Sequence, residues 1–235
     1  YILKDCYDSI EQDKSISADK ESFDLIQELS ALGLELGRID ETKSVLERGL
    51  SLFESDLSRQ LQLLKTLVNV SLLKADYAAA RGFITRGIAI ADNYDDVLSK
   101  LAFDRQLASM EIFSTRRDSA PRILEELMQD AERLGCYPEL GRLKVLSGLW
   151  HWKSGAFENA EKELLAGLKL LRNSSERKDL IAPLGNLSMI YFEQAEYNKS
   201  VKFGKLAVSL AEGRSGSTAV SAVYSNLVLS YARLA

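Results

Sequence analysis

A chain of 235 residues, 46% hydrophobic and 27% charged with only three prolines, has the composition of a folded protein, neither disordered nor membrane-spanning. Its net charge of −4 argues against a nucleic-acid surface as the main function, because phosphate binding needs clustered Lys and Arg. The two cysteines, Cys6 and Cys136, lie too far apart for a metal-ligand spacing or a disulfide framework, and they read as free thiols of a reducing, cytoplasmic compartment.

In chain order, the start Tyr1 to Asp5 lacks an initiator Met and the features of a signal peptide, so the sequence reads as a piece of something longer. Residues 3 to 15 can supply the second helix of an earlier unit. A short phrase then recurs: Gly37-Arg38-Ile39 to Thr42, Ala75-Asp76-Tyr77 to Ala80, Thr115-Arg116-Arg117 to Ala120, Gly155-Ala156-Phe157 to Ala160 and Ala195-Glu196-Tyr197 to Ser200. Its starts are spaced 38, 40, 40 and 40 residues apart, and a period in this range marks a stack of one supersecondary unit. The units run over about 1–18 (partial), 23–60, 61–100, 101–140, 141–180, 181–220 and 221–235 (partial), within one elongated domain over 1–235.

The unit is clearest in its fifth copy. Leu187, Ser188, Ile190 and Tyr191 stand at helical spacing before Gln194-Ala195-Glu196, and Ser200, Phe203, Gly204, Ala207, Val208 and Ala211 line one face of a second helix after it. Two antiparallel helices joined by a tight turn result. The first helices repeat Leu29, Leu67, Leu107, Leu187 and Leu227, beside a mostly small column of Ser30, Val68, Ala108, Gly148, Ser188 and Val228. In the second helices Gly49, Gly87 and Gly167 share one column. Glycine inside a helix costs ~1 kcal/mol relative to alanine, so the column implies close helix-to-helix approach. Inter-repeat loops are expected at Glu54 to Arg59, Asp92 to Val97, Arg133 to Leu140, Arg172 to Leu180 and Glu212 to Thr218.

These columns resemble tetratricopeptide repeats, in a long variant of about forty residues. The small residues Ala80, Ala120, Ala160 and Ser200 match that family's central small position, and Leu187-Ser188 with Tyr191 match its first-helix signature. The third copy is degenerate at Thr115 to Arg117, and the first has Gly33 where an aromatic is usual. The longer period is similar to helical arrays in bacterial transcription regulators of the maltose-regulator type and in some bacterial signalling proteins, and also to eukaryotic scaffold and motor light-chain arrays. The resemblance implies an all-α, right-handed α-solenoid of antiparallel helix pairs whose first helices line a concave groove.

Chemistry is thinly represented. His151 is the only histidine and occupies the column of Tyr191 and Tyr231, which favours a packed interface residue over a general base. One histidine and two distant cysteines build neither a zinc site nor a cysteine-histidine pair, and Gly213 to Ser217 lacks the lysine and strand context of a phosphate loop. The expectation is no catalytic residue, no metal and no cofactor.

The groove is the better candidate for function. Carried over from the resemblance, the groove-facing set is Lys65, Asn69, Arg105, Phe113, Arg142, Trp152, Lys153, Asn186, Phe192, Asn226 and Arg233. Asparagines one repeat apart can hydrogen-bond an extended backbone, aromatics can bury apolar side chains, and Lys or Arg can pair with carboxylates. Such a mixture suits a peptide or protein partner, with no nucleic acid and no membrane. The polar residues could instead be an ordinary exposed helix face, with the asparagines capping or bridging neighbouring helices, and a sensor that encloses a small molecule or self-associates is the alternative.

Overall fold

The computed structural model describes residues 17–113, 119–173, 177–211 and 218–234. Among them are eleven α-helices, one 3-10 turn and no strand. The helices are α1 (Lys20–Glu35), α2 (Ile39–Leu52), α3 (Leu57–Leu73), α4 (Tyr77–Asn93), α5 (Val97–Phe113), α6 (Ala120–Arg133), α7 (Tyr137–Lys153), α8 (Phe157–Leu171), α9 (Ile181–Glu193), α10 (Tyr197–Ala211) and α11 (Thr218–Leu234), with the 3-10 turn at Arg177–Leu180 before α9. Residues 3 to 15, Cys6, the turn phrase Thr115 to Arg117 and the loop from Glu212 to Ser217 lie outside the described residues. The chain divides into two compact units, up to Leu107 and from Ala108. Each is a stack of antiparallel helix pairs, the architecture of an α-solenoid.

The recurring phrase is a helix stop with a defined geometry. Gly37, Ala75, Gly155 and Ala195 adopt positive φ of 71°, 55°, 76° and 59°. The residue after each returns its N–H to a carbonyl five back: Arg38 to Gly33 at 2.8 Å, Asp76 to Ser71 at 2.9 Å, Ala156 to His151 at 2.9 Å and Glu196 to Tyr191 at 2.8 Å. This closes the first helix with a left-handed residue and satisfies carbonyls that the helix itself leaves open. In the second repeat Asp76 also starts the next helix, its carboxylate accepting from the Ala79 amide at 3.0 Å. A left-handed alanine costs roughly 1 kcal/mol that glycine avoids. Ala75→Gly and Ala195→Gly are therefore each expected to raise stability by about 1 kcal/mol in chemical denaturation; a loss in both would show that the phrase is held by something other than this turn.

The small residue five positions into the phrase is where the two helices of a pair touch. Thr42, Ala80, Ala120, Ala160 and Ser200 are all fully buried. In the last full pair, Ser188 and Ser200 exchange hydroxyl-to-carbonyl bonds at 2.9 and 2.8 Å, and the Ser200 and Ser230 hydroxyls lie 2.8 Å apart, so three buried hydroxyls tie α9, α10 and α11. The leucine column is buried at Leu29, Leu67, Leu187 and Leu227.

The glycine column does what its residue type implies. A Cβ at Gly49 would stand 3.2 Å from Leu63, one at Gly87 would overlap the Phe103 ring, and one at Gly167 would stand 2.8 Å from the Gly141 carbonyl oxygen. The inter-repeat loops are shorter than expected: α3, α5 and α7 begin at Leu57, Val97 and Tyr137, inside the segments read as loops. Asp56 and Asp96 explain two of these early starts, because their carboxylates cap the amides of Arg59 and Ser99 at 3.0 Å.

In the first unit the core gathers Phe23, Ile26, Leu46, Phe53, Leu63, Leu64, Leu67 and Ile84, with Phe23 set edge-on to Phe53 at 5.4 Å. In the second, Val145, Leu164, Leu171, Leu187, Ile190 and Tyr191 form one cluster, and Leu184, Ala207, Val223 and Leu227 another. Each such large side chain contributes about 1.5–3 kcal/mol on burial.

Candidate functional site on the first-helix faces

The eleven sequence-derived residues lie on the first helices α3, α5, α7, α9 and α11, Lys65, Asn69 and Arg105 in the first unit and the others in the second. Phe113 closes α5, and its side chain lies outside the described residues. The remaining ten separate into side chains engaged within the fold and side chains left on the face.

Lys65 belongs to the first group. Its ammonium donates to Ser99 Oγ at 3.1 Å and sits 5.8 Å from the Phe103 ring centroid, joining α3 to α5. Partial burial works against the charge of neighbouring Asp96, yet hydrogen bonds from Ser99 and the nearby Lys65 hold its carboxyl below the usual range. Asn69 is exposed, and its Oδ1 accepts from Gln106 Nε2 at 3.4 Å. Arg105, on the next turn of α5, is half-buried and also engaged.

Arg142 is the clearest departure from expectation. Rather than standing open to a ligand carboxylate, its guanidinium donates to Glu139 at 2.9 Å and to Asp179 in the 3-10 turn. Burial disfavours its charge, but the hydrogen bonds and charges of Glu139 and Asp179 outweigh this and raise its affinity for the proton above an ordinary arginine's. Glu139 is only 4% exposed, so the arginine neutralises a carboxylate that the fold has buried. The Glu139–Arg142 spacing of one helical turn was readable in the sequence; the partnership with Asp179 was not.

At the C-terminal ends of α7 and α9, the half-buried Trp152 packs against the second unit's core and donates its indole N–H to Glu193 at 2.7 Å. Phe192 lies 5.7 Å from the Tyr197 ring, and half-buried Lys153 follows Trp152 and is likewise engaged within the fold. His151 lies edge-on to Trp150 at 4.9 Å. Tyr191, one turn below the face, donates to Glu161 and stacks on Phe203 at 5.3 Å; burial and the Glu161 carboxylate raise its phenol well above the ordinary range.

Asn186 and Asn226 remain. Both are half-buried, they occupy equivalent positions on the neighbouring first helices α9 and α11, and neither carboxamide has a hydrogen-bond partner among the described residues. Arg233, at the end of α11, is exposed. Leu149, Met189 and Leu229 repeat at a spacing of forty beside them, half-buried in the first two cases and 50% exposed in the third. The second unit thus presents amide groups, a leucine-methionine stripe and an anchored indole on first-helix positions.

Among the described residues no group of three or more His, Cys, Asp and Glu could hold a metal ion, and no helix is long and apolar enough to cross a membrane. Cys136 is a half-buried free thiol. A cavity of about 290 Å³ lies on the second-helix side of the first unit, over Leu50 and Phe83 and rimmed by Glu47, Ser51, Glu54 and Arg86. Nothing in the sequence pattern pointed to it.

No family model matches the chain, and no curated protein does. Solved structures do. The chain is similar to BtubC (BKLC) from P. vanneervenii at 15% identity and a TM-score of 0.58, covering 87% of this chain and 84% of that one. It is similar to a Rap protein complexed with competence and sporulation factor at 11% identity and a TM-score of 0.68, over 98% of this chain and 69% of that one. NprR in complex with its cognate peptide NprX matches at 12% identity and a TM-score of 0.60, over 99% and 72%. Identities this low carry the fold and nothing finer: the chain is an all-α helical-repeat solenoid built of antiparallel helix pairs.

Proposed function

We propose that this chain is a non-catalytic peptide-binding module, and that the first-helix face of its second unit holds an extended segment of a protein or peptide partner. The carrying observation is the pair Asn186 and Asn226, two carboxamides one repeat apart with no hydrogen-bond partner among the described residues. A carboxamide offers two donors and an acceptor, and two on neighbouring helices roughly 8–10 Å apart suit peptide groups about three residues apart along an extended backbone. Leu149, Met189 and Leu229 offer adaptable apolar contact beside them, and Trp152 is a rigid aromatic already positioned by Glu193. Two of the similar structures are complexes, one of them with a cognate peptide, which supports the same reading. The setting we infer is a regulatory or scaffolding segment of a larger bacterial transcription-regulatory or signalling protein in the cytoplasm, acting without cofactor and without contacting nucleic acid itself. The cavity over Leu50 and Phe83 favours a second reading, a sensor that encloses a small molecule.

The test is capture on an array of overlapping peptides, followed by the same array with the Asn186→Ala/Asn226→Ala double variant. Capture of a defined subset by the unaltered chain is expected, with at least a tenfold loss in the variant and an unchanged helical circular dichroism signal. Equal capture by both proteins would remove the assignment to this face.

A further inference from the structure

We infer that Gln106, paired with Asn69, is a reader of the peptide group in the first unit, taking the N–H and C=O of one backbone amide of an extended ligand. This extends the peptide reading to the other unit and rests on it. The two residues end a row of cross-helix contacts: Lys65 and Asn69 stand one turn apart on α3, and Ser99, Phe103 and Gln106 follow one face of α5. The Lys65 end of the row is firmly closed. The Asn69 end is held by one hydrogen bond of 3.4 Å, long for an N–H donor.

Gln106 is 7% exposed, and its Oε1 is buried and accepts no hydrogen bond among the described residues. A buried acceptor without a donor is among the costlier things a fold retains. Turning the terminal amide through half a circle would give up the bond to Asn69 Oδ1 unless Asn69 turned as well. Asn69, in contrast, is exposed, and its Nδ2 takes no part in the bond to Gln106. The pair therefore combines an outward donor with an acceptor in want of a partner, the complement of a secondary amide's C=O and N–H. A ligand peptide group that breaks the long bond draws the Gln106 carboxamide towards the row: Oε1 accepts the ligand N–H, and Asn69 Nδ2 donates to the ligand carbonyl. Both groups are neutral, so the pair reads backbone and leaves side-chain preference to its neighbours.

The first measurement separates a ligand-binding glutamine from a structural one. Gln106→Met keeps the shape and removes the unpaired acceptor, so its melting temperature is expected to equal or exceed that of the unaltered chain by up to about 4 °C. A clear fall would mean that the carboxamide holds the fold together, and would overturn the inference. The second uses N-acetylglycine N-methylamide, a side-chain-free peptide surrogate, titrated into ¹⁵N-labelled protein while the side-chain NH₂ resonances of Asn69 and Gln106 are followed. Both are expected to move together and saturably. N,N-dimethylacetamide, which has the carbonyl but no N–H, is expected to act at least tenfold more weakly, and Gln106→Met is expected to lose the Asn69 response. No movement, equal movement with the two probes, or an Asn69 response intact in Gln106→Met would each overturn the inference. Loss of the surrogate response with array capture intact would remove only the role of Gln106. A surrogate response without array capture would remove only the second-unit site.

Discussion

Gly167→Ala is expected to destabilise the protein by about 2 kcal/mol, although alanine is ordinarily the better helix former by roughly 1 kcal/mol. The new Cβ would stand 2.8 Å from the Gly141 carbonyl oxygen, 2.9 Å from Val145 Cγ2 and 3.1 Å from the Val145 nitrogen. Two of these three are backbone atoms of α7, which cannot rotate away as a side-chain end can. The contact is reciprocal, since a Cβ on Gly141 would meet the Gly167 carbonyl oxygen at 3.2 Å. Accommodation requires α8 to back off α7, loosening the cluster that contains Leu164, Leu171 and Val145. Gly82 supplies the opposite sign: it lies inside α4, and an added Cβ meets nothing within 4 Å. Gly82→Ala is expected to stabilise by about 0.5–1 kcal/mol. Denaturation midpoints measure both, and shifts of the same sign would refute the view that close approach, rather than helix propensity, placed glycine in the column.

That column shows what the chain's periodicity can and cannot reveal. A glycine recurring at forty residues inside a helical pattern implies proximity because the propensity cost needs an offset, and the structure supplies it at Gly49, Gly87 and Gly167. The turn phrase and its buried small residue are legible for a similar reason: each is dictated by the backbone within one helix pair, where sequence distance is short. Helix starts were less legible, because Asp56 and Asp96 cap their helices within stretches that composition marks as loop. Column identity also fails to guarantee burial. Val228 shares the column of Ser188 yet is 67% exposed, since no helix among the described residues packs on it as α10 packs on α9.

The site was legible as a set of positions and illegible as a set of roles. Periodicity placed Lys65, Arg142 and Trp152 on first-helix faces but could not say which cross-helix neighbours they meet. Ser99, Asp179 and Glu193 lie 34, 37 and 41 residues away from them, and only the packed repeats bring each pair to hydrogen-bond distance. The unpaired oxygen of Gln106 was illegible for the same reason, being a property of the assembled α3–α5 contact. Residues without partners among the described residues, such as Asn186 and Asn226, are recognised only once the other polar side chains have been accounted for.

Arg142→Ala is expected to cost about 3 kcal/mol, the scale of breaking a buried ion pair by removing one partner. Glu139 would be left as a carboxylate that is only 4% exposed, and Asp179 would lose the guanidinium that ties the 3-10 turn to α7. The loss should be felt at the start of α9, which follows that turn directly, and Asn186 stands on this helix. Arg142→Met combined with Glu139→Gln removes the two charges on α7 while keeping the volume, leaves only the Asp179 carboxylate without its partner, and is expected to recover part of the loss. Lys144 and Glu163, a pair at 3.1 Å with each side chain about a fifth exposed, should cost less when Lys144→Ala is made, about 1 kcal/mol. Urea denaturation with helical and aromatic signals recorded together would resolve these values, and an Arg142→Ala loss no larger than that of Lys144→Ala would refute the assignment of a buried triad. The ordering bears on function as well. Arg142→Glu would place three carboxylates around one half-buried point, so loss of peptide capture in that variant would report a damaged α7–α9 contact, whereas loss in Asn186→Ala/Asn226→Ala, with the triad intact, would report the face itself.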